Sequence, residues 1–398
     1  MKQERRGCGI CGSADSRLLF RQDFASISGG SFLDGYDVVI CSACGFGYAD
    51  DLPDQSVFDR HYREMSKYEY EDQGGKEPEH DLGRFKRLAA IVLETCPALG
   101  ARILDIGCAT GQLLALLKQE GYPHVLGLDP SPTCAAIARR LYDIDVVTGS
   151  IDESTLPKEA FDYLILSGVL EHIRDLSPVL KRLRGLLAAD GQMLICVPDA
   201  ARFAEEEDAP FQQFSTEHVN FFSSQSLTSL MSANGFTAVV CQHNEFKEGK
   251  GYTQVGPVVD AVFRKTDGLA AAPPRDVVTE PALAEYIRKS QAVDDGIRRT
   301  IDEILTAGKP ILVWGTGTHT LRLLATSRLR EAAITAFIDS NPRYHNKDLN
   351  GIPIIGPAGL AGRTEPILIS SRVFQQDIHR QIREVLQLSN PIHLLYAV

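Results

Sequence analysis

From Arg102 onward the chain alternates short apolar runs with longer stretches whose apolar residues fall on one helical face. RILDIG, HVLGLD and DVVTGS are interleaved with TGQLLALLKQEG and PTCAAIARRLY, and FDYLILSGV, LSPVLKRLRGLLAADG and QMLICVP follow. Short apolar runs separated by amphipathic helices predict an open, mainly parallel sheet with helices on both faces. The same grammar returns in PILVWGTGTHT, AITAFIDSN, IPIIG and PILISS, after a stretch from Asp267 to Gly308 that reads as linker plus long helix. Residues 51–100 read as polar helix with a tyrosine cluster, Tyr62, Tyr68 and Tyr70. Residues 1–50 hold few large apolar side chains and one strand-like run, Tyr36 to Ile40. The pattern divides the chain into 1–65, a central α/β domain over 66–245, linker and helix over 246–300, and a second α/β domain over 301–398.

Composition narrows the function. The chain has 398 residues, 44% hydrophobic and 23% charged, as expected of a globular protein of two or three domains. A net charge of -11 argues against a nucleic-acid backbone as main partner, because phosphate neutralisation needs a basic surface. The start MKQERRGCGI lacks the apolar stretch of a signal peptide, and no apolar run approaches the roughly 20 residues that span a bilayer. Neither nucleic acid nor membrane is therefore an expected partner. The nine cysteines are an odd number, and several lie in predicted strands or helices, which suits a reducing cytoplasm.

Four of those cysteines form two C-x2-C pairs, Cys8/Cys11 and Cys41/Cys44, each followed directly by glycine. The glycine permits the tight turn that aims both thiolates at one centre. Four thiolates close a tetrahedral shell, so residues 1–65 read as a small module holding a structural, not catalytic, Zn2+. A metal would also staple a segment too small to build its own core.

The chemistry of the central domain begins at LDIGCATGQLL, where an apolar strand runs into Gly107 and Gly111 and then a helix. Glycine lets the backbone turn sharply and approach a ligand. Asp105 ends that strand, and Asp129 ends the next, HVLGLD, where an acid accepts both ribose hydroxyls. Taken alone, this arrangement also fits a dehydrogenase. Here, however, D-x-G-x-x-x-G replaces G-x-G-x-x-G, and FDYLILSGVLEHIRDLSPVL follows a third strand ending at Val147-Thr148-Gly149-Ser150. In combination these motifs resemble those of class I S-adenosylmethionine methyltransferases over roughly residues 80–240. The resemblance implies that Asp105, Gly107, Cys108, Gly111, Gln112, Asp129, Pro130, Ser150, Ile151, Ser167 and Glu171 hold S-adenosylmethionine, with Gly168 beside it and Glu171-His172 opening the next helix. Ser150 stands where the family often has an acid.

Downstream, FSTEHVNFFSSQSLTSLMSANGF places Glu217 and His218 on a loop ahead of a helix capped by Ser223 or Ser224. A histidine beside a carboxylate is suited to general-base work, and equally to pinning the loop. The full architecture is similar to that of the sugar-nucleotide C-methyltransferases of branched deoxysugar pathways: an α/β protein whose class I methyltransferase Rossmann-like domain is flanked by a small zinc-binding module and a second Rossmann-like domain. That resemblance implies a nucleotide-linked 4-keto sugar as acceptor and carbon methylation through an enolate. It implies His218 as base, Glu217 as its orienting partner, and Tyr68 or Tyr70 as a phenol near the acceptor. The chain departs from the family pattern at Gln213-Phe214-Ser215-Thr216, which has no tyrosine, and at Glu71-Asp72-Gln73-Gly74-Gly75, which has no serine. Methylation of a sugar hydroxyl therefore stays open, as does a non-catalytic scaffold. VWGTGTHTLRLL has Gly315 and Gly317 but Thr320 where a third glycine would belong, with Asp339 ending the following strand. Backbone N–H groups at that helix start suit a pyrophosphate, and residues 301–398 are expected to bind the acceptor.

Overall fold

The computed structural model describes residues 5–27, 33–65, 74–77, 79–206, 208–246, 255–266, 268 and 274–396. The chain divides into two compact units: Met1–Arg17, Val39–Phe203 and Val219–Ala282 form one, and Leu18–Val38, Ala204–His218 and Leu283–Val398 the other.

The first unit is built on seven strands: β1 (Ile103–Ile106), β2 (Val125–Asp129), β3 (Val146–Thr148), β4 (Phe161–Ser167), β5 (Leu187–Pro198), β6 (Phe236–Phe246) and β7 (Val255–Lys265). They lie in the order β6-β7-β5-β4-β1-β2-β3. β1 to β5 run parallel, while β7 is antiparallel to both of its neighbours, β5 and β6. Helices α1 (Gln55–Met65), α2 (Glu79–Thr95), α3 (Gln112–Gln119), α4 (Pro132–Tyr142), α5 (Leu176–Leu186) and α6 (Ser224–Ala233) complete it. Side chains alternate across the pleat: Leu104, Ile106, Leu164 and Leu166 join one core cluster, whereas Ile103, Tyr163 and Ile165 join another. Both faces are covered, which is why these strands read as nearly continuous apolar runs. The chain winds outward from β1 through β2 and β3, then returns to β4 on the other side. That reversal leaves a crevice beyond the carboxyl ends of β1 and β4, where doubly wound sheets bind ligands.

The paired cysteines pack into this same core. Cys8, Cys41, Cys44, Phe46 and Tyr48 belong to the cluster that holds Leu170, Leu176 and Phe222. Gly47–Asp50 pairs antiparallel with Asn220–Phe221. The expected strand near Tyr36 is present as Gly35–Cys41. Ser223 is the cap of α6, in a reciprocal capping box with Ser226.

The second unit contains most of the long helix α7 (Thr279–Ala307), then β8 (Ile311–Trp314), α8 (Thr318–Thr326), β9 (Ile334–Ile338), β10 (Asp348–Leu349), β11 (Ile352–Ile355), β12 (Ile367–Ile369), α9 (Gln375–Arg380) and β13 (Ile392–Leu394). Its sheet order is β10-β11-β9-β8-β12-β13, parallel except for the short β10. Among the described residues no helix is long and apolar enough to cross a membrane.

Candidate functional site

The crevice of the first unit is a cleft of about 910 Å³, its open mouth included. Gly107, Asp129, Pro130, Ser150 and Ile151 line it, together with Gly168 and His172. At its floor the backbone does what the glycines allow. Gly107 has φ 71° and donates to the Leu128 carbonyl at 2.7 Å, and Gly111 caps α3 at φ 85°. A Cβ on Gly107 would meet Val169 at 2.8 Å, so this turn tolerates no side chain. Between the two glycines Ala109 is held at φ 47°, a conformation costly for a residue with a Cβ.

Asp129 pins that loop. Its carboxylate accepts from the Ala109 N–H through Oδ2 and from the Ser131 N–H through Oδ1, both at 2.9 Å. Each oxygen keeps a lone pair, enough to receive two ribose hydroxyls. Burial raises its pKa to about 6 against the pull of those two N–H groups. Asp105 is buried too, and desolvation, with the charge of Asp129 added, pushes it up to about 8. An acid held protonated by its surroundings releases its proton to solvent when a cation arrives beside it. Gln112 Oε1 and Ser167 Oγ are buried without a hydrogen-bond partner. Such atoms cost free energy unless a partner satisfies them, although neither residue, nor Asp105, is among those that line the cleft.

Cys108 turns inward instead. Its sulfur lies where a Cβ on Gly127 would be, 2.4 Å away, and burial raises its pKa well above the usual thiol value. The motif after β4 also differs from expectation. Glu171 and His172 sit in a 3-10 turn, Leu170–His172, and α5 begins only at Leu176. The carbonyls that would continue a helix are taken by other partners: Asn220 Nδ2 donates to Leu170 and Ile173, and the Val219 N–H donates to Glu171 at 2.8 Å. Both residues are nonetheless buried and adjacent, His172 Nε2 lying 3.9 Å from Glu171 Oε1.

Several contributors were not evident in the sequence. Gln55, Asp59 and Tyr62 reach the cleft from α1. Gln55 Oε1 accepts from the Arg174 N–H at 2.9 Å and its amide donates to Asp59 at 3.0 Å, while the Tyr62 ring stands edge-on to His172 at 5.6 Å. Burial raises the Asp59 pKa. Asp152 brings a carboxylate to the lining, two residues beyond Ser150. Glu77, buried, binds the Thr110 hydroxyl of the glycine loop through one oxygen and the Tyr142 hydroxyl at 2.7 Å through the other. Of these only Tyr62 had a signal in the sequence, as a member of the tyrosine cluster in the polar, helical stretch 51–100.

Glu217 and His218 end a segment of the second unit. The Ser215 hydroxyl accepts from both of their N–H groups, at 3.2 and 3.1 Å, and the Tyr36 hydroxyl donates to the Ser215 carbonyl at 2.8 Å. A phenol thus holds this loop although Gln213-Phe214-Ser215-Thr216 contains no tyrosine. Tyr68 and Tyr70 lie outside the described residues.

Cys8, Cys11, Cys41 and Cys44 converge, with all four sulfurs within 4.8 Å of one another. The closest pairs are Cys8–Cys44 at 3.4 Å and Cys11–Cys41 at 3.5 Å, near the roughly 3.8 Å that a tetrahedral shell with Zn–S bonds of about 2.3 Å requires. The two knuckles repeat one turn: Gly12 donates to the Cys8 carbonyl and Gly45 to the Cys41 carbonyl, at φ 73° and 79°. A Cβ on Gly45 would lie 2.0 Å from the Asp276 carbonyl oxygen, so glycine is obligatory there. The donor set could hold one zinc ion with no coordination position left open.

Residues 80–242 match the family described as a methyltransferase domain. They form a class I methyltransferase domain. Residues 308–391 match a second family, described as C2185-like, N-terminal. A ubiquinone biosynthesis O-methyltransferase of Bradyrhizobium diazoefficiens is 36% identical over 101 residues, 24% of this chain and 39% of the relative. An uncharacterized methyltransferase of Staphylococcus carnosus is 30% identical over 129 residues, 32% of this chain and 61% of that protein. The match thus spans about two-fifths to three-fifths of the length of these relatives. Among solved structures, the Burkholderia thailandensis 1,6-didemethyltoxoflavin-N1-methyltransferase with bound S-adenosylhomocysteine is 21% identical, covering 57% of this chain and 98% of that one, with a TM-score of 0.41.

Proposed function

We propose that the protein is an S-adenosylmethionine-dependent methyltransferase acting on a nucleotide-linked keto sugar, methylating carbon through an enolate. The observation that carries the reading is the wiring of Asp129 to the glycine loop, with Asp105, Gln112 and Ser167 left with capacity for a ligand. Asp129 receives the ribose hydroxyls, Asp105 and Gln112 the amino-acid end, and Ser150, Ile151 and Asp152 border the base. Bound S-adenosylmethionine supplies an electrophilic methyl group. His218, on a loop fixed by Ser215 and Tyr36, takes the proton from the carbon beside the ketone, and Glu217 orients its ring. The electron pair left on that carbon would form the bond to the methyl group as the methyl–sulfur bond of the donor breaks, its electrons staying on the sulfur. Residues 1–65 hold a structural Zn2+ through Cys8, Cys11, Cys41 and Cys44, residues 66–245 bind the donor, and residues 301–398 bind the acceptor, in the cytoplasm.

A second reading, methylation of a hydroxyl, is supported by the O-methyltransferase named among the relatives. In that case His218 or His172 takes a hydroxyl proton. Mass spectrometry of candidate nucleotide sugars incubated with isotope-labelled donor tests both. A gain of one methyl group on carbon supports the first reading, and a gain on oxygen replaces it with the second. His218→Ala is expected to abolish turnover and leave donor binding intact; full activity would remove His218 from the mechanism.

A further inference from the structure

Arg6 lies two residues before the first thiol of the cysteine cluster, yet its side chain is only 8% exposed and its partners are far away in sequence. Nε donates to the Ala49 carbonyl at 2.9 Å, and Nη1 to the Arg174 carbonyl at 2.5 Å. Nη2 donates to the Val219 carbonyl at 2.5 Å and to Asn220 Oδ1 at 2.9 Å. The Arg6 N–H is held by Asp50 at 2.7 Å, and the guanidinium lies 5.0 Å over the Tyr48 ring. A planar fork with donors on three nitrogens meets these four acceptors; an ammonium has neither the shape nor the reach.

The groups it grips are those that shape the cleft wall. Asn220 passes the connection on, its amide donating to the carbonyls of Leu170 at 2.8 Å and Ile173 at 2.7 Å. The Val219 N–H holds the Glu171 carbonyl, and the Arg174 N–H holds Gln55 of α1. These contacts keep residues 170–174 out of α5 and place His172 and Ile173 in the cleft lining. Removing the guanidinium would leave the Ala49 and Arg174 carbonyls short of a donor inside the protein, while the Val219 carbonyl would keep only the Ala49 N–H, at 3.0 Å.

We propose that Arg6 is a positioning residue that ties the four-cysteine cluster to the donor cleft, so that closing the metal shell around Cys8 sets the conformation of residues 168–175. The structural half of this proposal needs only the contacts above; its effect on donor affinity rests on the reading of the cleft given under the proposed function.

The test uses the full chain as Arg6→Ala, Arg6→Lys and wild type. Three quantities are measured: zinc per chain, backbone amide exchange by mass spectrometry, and S-adenosylhomocysteine affinity by calorimetry. Arg6→Ala is expected to keep its zinc and to exchange about tenfold faster over residues 168–175, with strand Ile103–Ile106 unchanged. Its affinity for S-adenosylhomocysteine should fall about tenfold, Arg6→Lys should recover only part of it, and added methylguanidine should restore Arg6→Ala towards wild type. Chelator-stripped wild type should show the same local acceleration. Unchanged exchange over 168–175 in Arg6→Ala, or acceleration spread evenly over the first unit, overturns the proposal. Stripped wild type with unchanged exchange overturns the link to the metal. If Arg6→Ala does not fold, Asn220→Ala, which removes the relay and leaves Arg6 in place, decides by the same exchange criterion. Failure of wild type to bind S-adenosylhomocysteine would sink the donor reading while leaving the exchange result to judge Arg6.

Discussion

Two loops in this chain share one hydrogen-bond plan and differ in what they leave unsatisfied. In the first unit, Gly107 donates to Leu128, and Asp129 accepts from Ala109 and Ser131. In the second, Gly315 donates to Ile338 at 2.8 Å, and Asp339 accepts from Thr316 at 3.0 Å and Asn341 at 2.9 Å. Both follow a first parallel strand and precede a helix. The resemblance ends with the side chains. The position two residues before the glycine is Asp105 in one loop and buried Val313 in the other. The second loop also satisfies itself: the Thr316 hydroxyl joins Asp339, the Thr320 hydroxyl donates to the Gly315 carbonyl at 2.8 Å, and His345 Nε2 meets the Asp339 carbonyl at 2.8 Å. His319, in the first turn of its helix, has Nδ1 without a partner, but burial lowers its pKa to about 3 and keeps it neutral. The backbone plan makes a place for an acid in both loops; only the first sets a second acid, Asp105, beside it.

The strongest way to break this comparison is to exchange the acids. Asp129→Ala removes both ribose acceptors and the loop's anchor, and about 2–4 kcal/mol of lost charge-assisted bonding should weaken donor affinity at least about thirtyfold. Asp339→Ala should leave donor affinity within about twofold in the same calorimeter. A comparable loss in both variants would mean that the two loops are not functionally distinct.

The glycines give a smaller contrast. Gly107→Ala forces a side chain onto Val169 at φ 71°, and donor binding should fall about tenfold or more. Gly315→Ala, at φ 108° with the Ser370 carbonyl 3.1 Å from its Cβ, should cost about 1–2 kcal/mol of stability and leave donor binding unchanged. Denaturant titration alongside donor titration separates the two effects.

The smallest effect is the most diagnostic of Asp105. Its pKa is raised from 3.8 in the free residue to about 8 in the fold. Between those values the folded chain keeps a proton that the unfolded chain has lost, so stability falls as pH rises through the window and levels off above it. Asp105→Asn should flatten that slope. Arrival of a cationic donor should expel the proton, so the binding enthalpy near neutral pH should vary with the ionisation enthalpy of the buffer, and this dependence should vanish in Asp105→Asn. A buffer-independent enthalpy in wild type would show that Asp105 is already ionised.

Much of this was legible in the sequence because it is local. Gly12, Gly45, Gly107 and Gly111 all adopt positive φ where a sharp turn was expected, and the alternation of apolar runs marked both parallel sheets. Those requirements act over a few residues, so they are written next to one another. Gln55, Glu77, Tyr36 and Arg6 were not legible, because each serves a loop that lies dozens of residues or more away. The 3-10 turn at Glu171-His172 was misjudged for the same reason, since Asn220 takes the carbonyls that a helix would have used.

By itself, then, the sequence determined the two α/β sheets, the paired cysteine knuckles and the acids that end each second strand, all set by backbone sterics and short-range periodicity. Only the tertiary structure decided which of the two acid-bearing loops keeps open hydrogen-bonding capacity and how the cysteine cluster reaches the cleft. A buried polar atom is satisfied or left open by whatever the whole fold packs beside it, and those neighbours come from far along the chain.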